Sequence, residues 1–552
     1  MTKSTASRFT SLKAYKQLQD HFEYCSELHM RRLFSIDPER HKRMSLEFDW
    51  LLLDYSKNRI TDTTLKLLFE LAREAKLDDA IQAMFKSGKE TGHSSLHTAI
   101  RNRDSDSQNT EVELTLKRMS SFTEQVHNHE VKGYSNKAIT DIVNIGIGGS
   151  ELGVQSVCCA LRPYHQPNAL DMHFVSNVDG ANIEETLAQL NPETTLFIIS
   201  SKRFSNAETV TNAQTAKRWL LAKSNNISSV AKHFIAITTQ HEAARSFGIT
   251  EDYTFKLWDW VDDRFAIWSA TGLPIMLSIG IKHFNDFLDG AYEMDEHYKT
   301  APLEENMPVI MALIGVWYNN FFKAESQAIL TYDYHLSDLP KYIEQIDMQG
   351  NGKSVDREGN TVDYPTGPII WGGNGLHTQH AFYQMLHRGK KIIPADFIVS
   401  MRTHSVYQEQ HNQLFSNAIA QAEALMRGRN LQETITHIEH TPGGFDQNDI
   451  DALPHRVYGG NNPSNMLLMQ RLTPKSLGII LALYEHKTFT QGAIWGLNSC
   501  DQRDIELGNS ISSMIMNDLR NDTIPAGQHD ASTNALIKHY KKTVYPECKH
   551  SV

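Results

Sequence analysis

Between residues 140 and 240 the chain repeats one pattern, and that pattern constrains the fold more than any other feature. A short run rich in β-branched and apolar residues is followed by a small polar turn and then by a stretch long enough for a helix. Such runs occur at 142–147, 172–176, 196–200 and 234–238, with a helix-length segment at 208–223 between the last two. Buried strands that alternate with helices imply βαβ units and a parallel sheet. A second set begins later, clearest at 369–371 and 392–399, and long helical patterns at 273–287 and 308–322 separate the two sets. Residues 1 to about 130 read as helical. There Leu65, Leu68, Phe69 and Ala72 recur at helical spacing and Thr61 or Asp62 is placed to cap the first turn. The polar run 101–110, RNRDSDSQNT, reads as an exposed loop. After Gln502 the chain reads as helical, with a polar turn at 523–527. The expected organisation is a helical region over 1–130, α/β domains over 131–290 and 291–505, and a helical arm over 506–552.

Composition excludes several classes of function. Of 552 residues, 40% are hydrophobic and 22% charged, enough to build a large core. The net charge of −11 argues against nucleic acid or an anionic membrane as the main partner. No apolar run follows the basic residues of MTKSTASRF, so no secretory signal is expected there. The apolar segments 267–279 and 308–322 fall short of the roughly 20 residues of a spanning helix. Five scattered cysteines without a CxxC pair fit a reduced, cytoplasmic protein.

Two loops could carry chemistry. Gly146-Ile147-Gly148-Gly149-Ser150 follows a strand, so its backbone N–H groups can approach an anion. It is not a dinucleotide fingerprint, because Glu151 stands where a third glycine is needed; a plain tight turn is the alternative. Ser201, Lys202, Arg203, Ser205 and Thr209 also follow a strand and supply hydroxyls, cations and fresh helix N–H groups, as a phosphate cradle or as a solvated helix cap. Two such loops on neighbouring strands converge at the carboxyl edge of the sheet, which favours a phosphorylated small molecule. The 26 histidines include the spacings His377/His380 and His437/His440, but no HExxH accompanies them, and no metal site is expected.

Over about residues 48–537 the chain resembles the glucose-6-phosphate isomerase family. The resemblance rests on FDWLLLDYSKNRI (48–60), VNIGIGGSELG (143–153), SNVDG (176–180), WSATGLP (268–274), LIGVWYNNFF (313–322), HAFYQMLHRGKK (380–391), LTPKSLGIILALYEHKTFTQG (472–492) and HDASTNALI (529–537). It implies an α/β fold of two sugar-isomerase sandwich domains and a homodimer with a shared active site. It also implies a hexose 6-phosphate substrate, no metal or organic cofactor, and proton transfer between C2 and C1 through an enediolate. By this resemblance His404 is the ring-opening histidine, Arg264 faces the enediolate and Gln502 lies in the closing helix region. Ser201, Lys202 and Thr209 belong to the phosphate loop, and Gly148, Gly149 and Ser150 to the glycine loop.

Several expected positions differ. Where the family pattern reads Trp-Gly-Glu-Pro-Gly, this chain has Trp371-Gly372-Gly373-Asn374-Gly375, and Gly373 has no side chain to carry a proton. The segment Asp501 to Gly508 leads to Asn509 instead of a lysine, and Asp262-Asp263 precede Arg264 in place of two glycines. Arg203 and Asn206 replace threonines, and the segment 89–95 loses the family pattern. Three readings follow. The chain is an isomerase with a replacement base at His377, Asp262 or Asp263, or a sugar-phosphate-binding regulator without turnover, or a dimerisation partner of an intact isomerase.

Overall fold

The computed structural model describes residues 8–86, 97–103, 110–166, 170–440, 447–500, 506–521 and 528–544. It separates into two compact units, 1–500 and 501–552.

The larger unit is built on two sheets. The first runs in the order β4-β3-β5-β6-β7, with β3 Asp141–Ile145, β4 Asp171–Val175, β5 Thr195–Ser200, β6 Phe234–Thr238 and β7 Thr254–Lys256. All of its pairings are parallel, so the turns after its strands emerge at one edge. β5 and β6 are buried along their whole length, which explains their unbroken apolar runs. The second sheet runs β1-β2-β11-β10-β8-β9, from β1 Ser45–Phe48, β2 Leu51–Asp54, β8 Ser326–Thr331, β9 Ile369–Asn374, β10 Ala395–Arg402 and β11 Ser464–Arg471. β8 to β11 are parallel, whereas β2 pairs antiparallel with β11 and closes the sheet with the β1–β2 hairpin. The chain is therefore α/β with parallel-rich sheets.

Two sequence expectations change here. Residues 45–54 are a hairpin on the second sheet rather than part of an all-helical segment: Leu51 to Asp54 find their partners at Met469 to Met466, far along the chain. The run expected as an exposed loop over 101–110 begins with a fully buried side chain. Arg101 ends the helix His97–Arg101 and bonds Asp295 and Glu485, while residues 104–109 lie outside the described set. The Thr61 cap is as expected: its hydroxyl accepts the Thr64 N–H ahead of the helix Asp62–Glu74.

Long helices form much of the core. Leu273–Thr300 packs along Pro474–Ile494, and the latter is buried on nearly every side. Its charged residues are all matched. Glu485 takes Arg101 and Trp268 at 2.7 Å each, His486 bonds Asp295 at 2.6 Å, and Lys487 bonds Asp347 at 3.1 Å. Among the described residues no helix is long and apolar enough to cross a membrane. Cys25, Cys158 and Cys159 are free thiols.

Candidate active site

The turns at the carboxyl edge of the first sheet bring three sequence segments together. After β3 the chain reaches Gly148 at φ +60°, a left-handed conformation that glycine adopts without strain. Gly149 lies against the main chain of Asp263: a Cβ there would sit 2.4 Å from the Asp263 carbonyl carbon and oxygen. Only glycine permits that approach. The glycine loop thus packs directly on the arginine loop, and a short 3₁₀ turn Gly148–Ser150 leads into the helix Leu152–Ala160. Ser150 is buried, and its carbonyl accepts from Asn144 Nδ2 at 3.2 Å. Beside it Glu151 is also buried, and burial raises its pKa above the usual carboxylate range.

The loop after β5 caps its own helix. Asn206 Oδ1 accepts from the Thr209 N–H at 3.1 Å and from its hydroxyl at 3.3 Å, starting Ala207–Ser224. Thr209 is buried and committed to this cap, whereas Arg203 and Ser205 are exposed. Ser201 is buried, and its N–H bonds the Ile237 carbonyl at 3.1 Å. The Lys202 ammonium points at the arginine loop, donating to the carbonyls of Asp259 at 3.1 Å and Val261 at 2.6 Å.

Arg264 is the centre of the cluster and is fully buried. Asp262 Oδ1 accepts from its Nε at 2.9 Å, Asp262 Oδ2 accepts from Nη2 at 3.1 Å, and the Ser499 carbonyl accepts from Nη2 at 3.1 Å. Burial by itself would lower the pKa of the guanidinium; the bonds to Asp262 and its charge outweigh that and raise it. Nη1 is buried without a partner, facing Gly350. A buried unsatisfied donor costs roughly 1–3 kcal/mol, so this orphan N–H marks a place where an acceptor on a ligand would be stabilised. Asp262 therefore acts as the internal counter-ion of Arg264. Asp263 differs: its Oδ1 is buried without a hydrogen bond, and burial raises its pKa against the opposing pull of Lys202.

A further set of residues near Arg264 comes from the helix Leu339–Asn351. The Tyr342 hydroxyl donates to the Arg264 carbonyl at 2.8 Å. Gln345 Nε2 lies 3.3 Å from where a Cβ of Gly148 would stand, and Gly350 would meet Arg264 Nη1 at 3.6 Å. Positions 342, 345 and 349 lie on one side of the helix. Sequence reasoning missed these residues. Their only signal is that Tyr342, Gln345 and Gln349 put polar groups beside the apolar Ile343 and Ile346.

The remaining expected residues lie elsewhere. Gly373 is the second-last residue of β9, and a Cβ there would meet Thr378 Cγ2 at 3.0 Å. His377 is exposed on the short helix Gly375–Gln379 that follows, with His380 just beyond. His404, past the end of β10, has Nε2 2.6 Å from the Leu472 carbonyl and its ring edge-on to Tyr164. Among the described residues no hydrogen bond joins His404, His377 or Gly373 to the arginine loop. Asn509 is exposed in the helix Glu506–Arg520 of the smaller unit, and Gln502 lies outside the described residues, as does 89–95. Among the described residues there is no group of three or more His, Cys, Asp or Glu fit to hold a metal ion.

The arrangement is a sheet edge that carries one buried cation and its carboxylate partner. Comparison with known proteins gives it a family. The sequence pattern of phosphoglucose isomerase matches residues 54–537. Glucose-6-phosphate isomerase of Helicobacter acinonychis (strain Sheeba) is 48% identical over 547 residues, spanning 96% of this chain and 99% of its own. Glucose-6-phosphate isomerase 1 of Chromobacterium violaceum is also 48% identical over 547 residues, spanning 97% and 99%. The crystal structure of a glucose-6-phosphate isomerase from Chlamydia trachomatis superposes with a TM-score of 0.81 at 27% identity, covering 97% of this chain and 99% of that one. With half of each long relative matched residue for residue and the fold shared end to end, the chain belongs to the phosphoglucose isomerase family.

Proposed function

We propose that the protein interconverts glucose 6-phosphate and fructose 6-phosphate, slowly, as a homodimer and without a metal or organic cofactor. The observation that carries this reading is the buried Arg264 guanidinium with its unpartnered Nη1, on a loop whose main chain packs against the glycine loop, in a member of this family. The exposed Arg203 and Ser205, with main-chain N–H groups of the glycine loop, would hold the phosphate. Arg264 would stabilise the negative charge that develops on the enediolate oxygen. Ring opening falls to His404, donated across the dimer, and the proton shuttle to Asp263, whose raised pKa suits a carboxyl that must both take and return a proton.

Slowness follows from two features. Asp262 already neutralises Arg264, which weakens its pull on a second negative charge. The amide of Gln349 and the bare Gly373 supply no carboxylate, so the shuttle falls to Asp263, whose Oδ1 no hydrogen bond orients; a well-positioned general base is worth about 10²–10⁴-fold, and a poorly held one forfeits much of that. The same Asp262 clamp favours a second reading, a regulator that binds the sugar phosphate and does not turn it over.

A coupled assay of the interconversion, run beside one of the curated relatives, separates the two. The expected result is turnover about 10²–10⁴-fold below the relative. No turnover, with a hexose 6-phosphate raising the melting temperature, supports the regulator. Neither turnover nor a thermal shift overturns both. Sedimentation should give about twice 62.7 kDa; a clean monomer removes the shared site.

A further inference from the structure

Lys202 follows the strand whose turn was expected to cradle phosphate, yet its charge is directed into the protein. Its ammonium donates to the carbonyls of Asp259 and Val261, the residues that lead straight into Asp262 and Arg264. The same ammonium faces the Asp263 carboxyl and holds its pKa down against burial. The main chain of Lys202 is fastened as well: its carbonyl accepts from the Thr239 N–H at 2.9 Å, the Thr239 hydroxyl at 2.7 Å and the Thr238 hydroxyl at 3.0 Å. The residue is anchored on β6 at one end and grips the arginine loop at the other. Its neighbour Arg203 is the exposed cation of this turn.

We propose that Lys202 is a positioning residue that fixes the 257–264 segment, and through it Arg264, rather than a ligand of the substrate phosphate. The proposal deepens the isomerase reading and rests on it for the role of Arg264. A bond from a charged donor is stronger than a neutral one, and two of them close a segment that otherwise runs as loop and 3₁₀ turn. Displacing a catalytic group by about 1 Å can cost 10²-fold in rate, so a residue that only holds the loop has a large effect on turnover and a small one on binding.

The segment carries its own reporter. Trp258 and Trp260 flank Asp259 with their rings stacked at 4.9 Å and 15°. Near-ultraviolet circular dichroism of that pair, assigned by its loss in Trp260→Phe, reads the loop without any turnover. In full-length Lys202→Met the Trp-pair signal should fall, and Lys202→Arg, which keeps charged donors, should restore it. With fructose 6-phosphate, Lys202→Met should lower kcat by about tenfold or more while KM changes by less than about threefold. Should Lys202→Met not fold, Thr239→Val, which removes a bond to the Lys202 carbonyl, should lower the same signal.

An intact Trp-pair signal in Lys202→Met, or a KM raised about tenfold at unchanged kcat, would overturn the proposal and return Lys202 to the phosphate. If the wild type turns over neither hexose phosphate, the isomerase reading fails by itself, and the dichroism still decides what Lys202 holds.

Discussion

Among the described residues two arginines are fully buried, and they are treated differently. Arg101 uses all three of its nitrogens: Nε and Nη2 grip Asp295 at 2.6 Å each and Nη1 bonds Glu485 at 2.7 Å. Both carboxylates are bonded onward, to His486 and to Trp268, and the guanidinium lies 4.7 Å from the Trp268 ring. Arg264 has a single carboxylate, one main-chain carbonyl and an orphan Nη1. A saturated buried pair holds helices in place. An unsaturated one stores a binding opportunity that folding leaves unfilled. The contrast separates architecture from chemistry within one core.

The largest effect should come from breaking the saturated site. Arg101→Met leaves Asp295 and Glu485 buried without their cation, and removing one partner of such a network costs about 3–5 kcal/mol. Chemical denaturation should show a midpoint shift of that size. A shift under about 1 kcal/mol would mean that the carboxylates protonate or relax at little cost.

At the unsaturated site the effects should appear in turnover. Gln349→Glu places a carboxylate on the helix that carries Tyr342 and Gln345, one residue before Gly350, which faces Arg264 Nη1, and should raise the rate by about 10²-fold. Gly373→Glu must first displace Thr378, 3.0 Å from its Cβ, and should gain less. A larger gain at 373 than at 349 would move the reacting carbons to the end of β9. Loss of turnover in His377→Ala or His380→Ala, with His404→Ala unaffected, would move ring opening there too.

Asp262→Gly should free the guanidinium and raise turnover by about tenfold. A fall instead would show that Asp262 aims Arg264, outweighing the charge it cancels.

How far the sequence led is clearest at particular residues. Strand β6 lies at 234–238, where its apolar run placed it. Strands β8 and β11 and the 45–54 hairpin were not legible, because their pairing depends on distant partners: Ala328 of β8 meets Ala395, and Asp54 of the hairpin meets Met466 at the other end of the chain. Arg101 sits in a run of polar residues and looks exposed; the two carboxylates that bury it arrive from distant helices. The site shows the same limit. The glycines, hydroxyls and cations were readable as types, but which groups are already committed was not: Lys202 to Val261, Thr209 to Asn206, Asp262 to Arg264.

A further effect concerns the saturated region and pH. His297 accepts the Met307 N–H on Nε2 at 3.0 Å, and burial, with His486 adding to it, lowers its pKa to about 4. Its folded pKa lies below the unfolded value of 6.5, so the unfolded state binds the proton first. Stability from this residue is complete above about pH 6.5 and declines as pH falls toward 4, by at most about 1.4 kcal/mol per pH unit. Thermal unfolding of His297→Gln should show a shallower acid-side decline over that window. An unchanged slope would assign the acid sensitivity to other groups.

The central claim is that Arg264 is held unsaturated for a substrate, and the most direct measurement is the turnover of fructose 6-phosphate by wild type and Arg264→Met alongside their unfolding midpoints. Arg264→Met should lose turnover by about 10²-fold or more with a stability loss smaller than that of Arg101→Met, because it strands one buried carboxylate, Asp262, instead of two and also removes an orphan donor. Turnover that survives the substitution, or a stability loss as large as that of Arg101→Met, would contradict it.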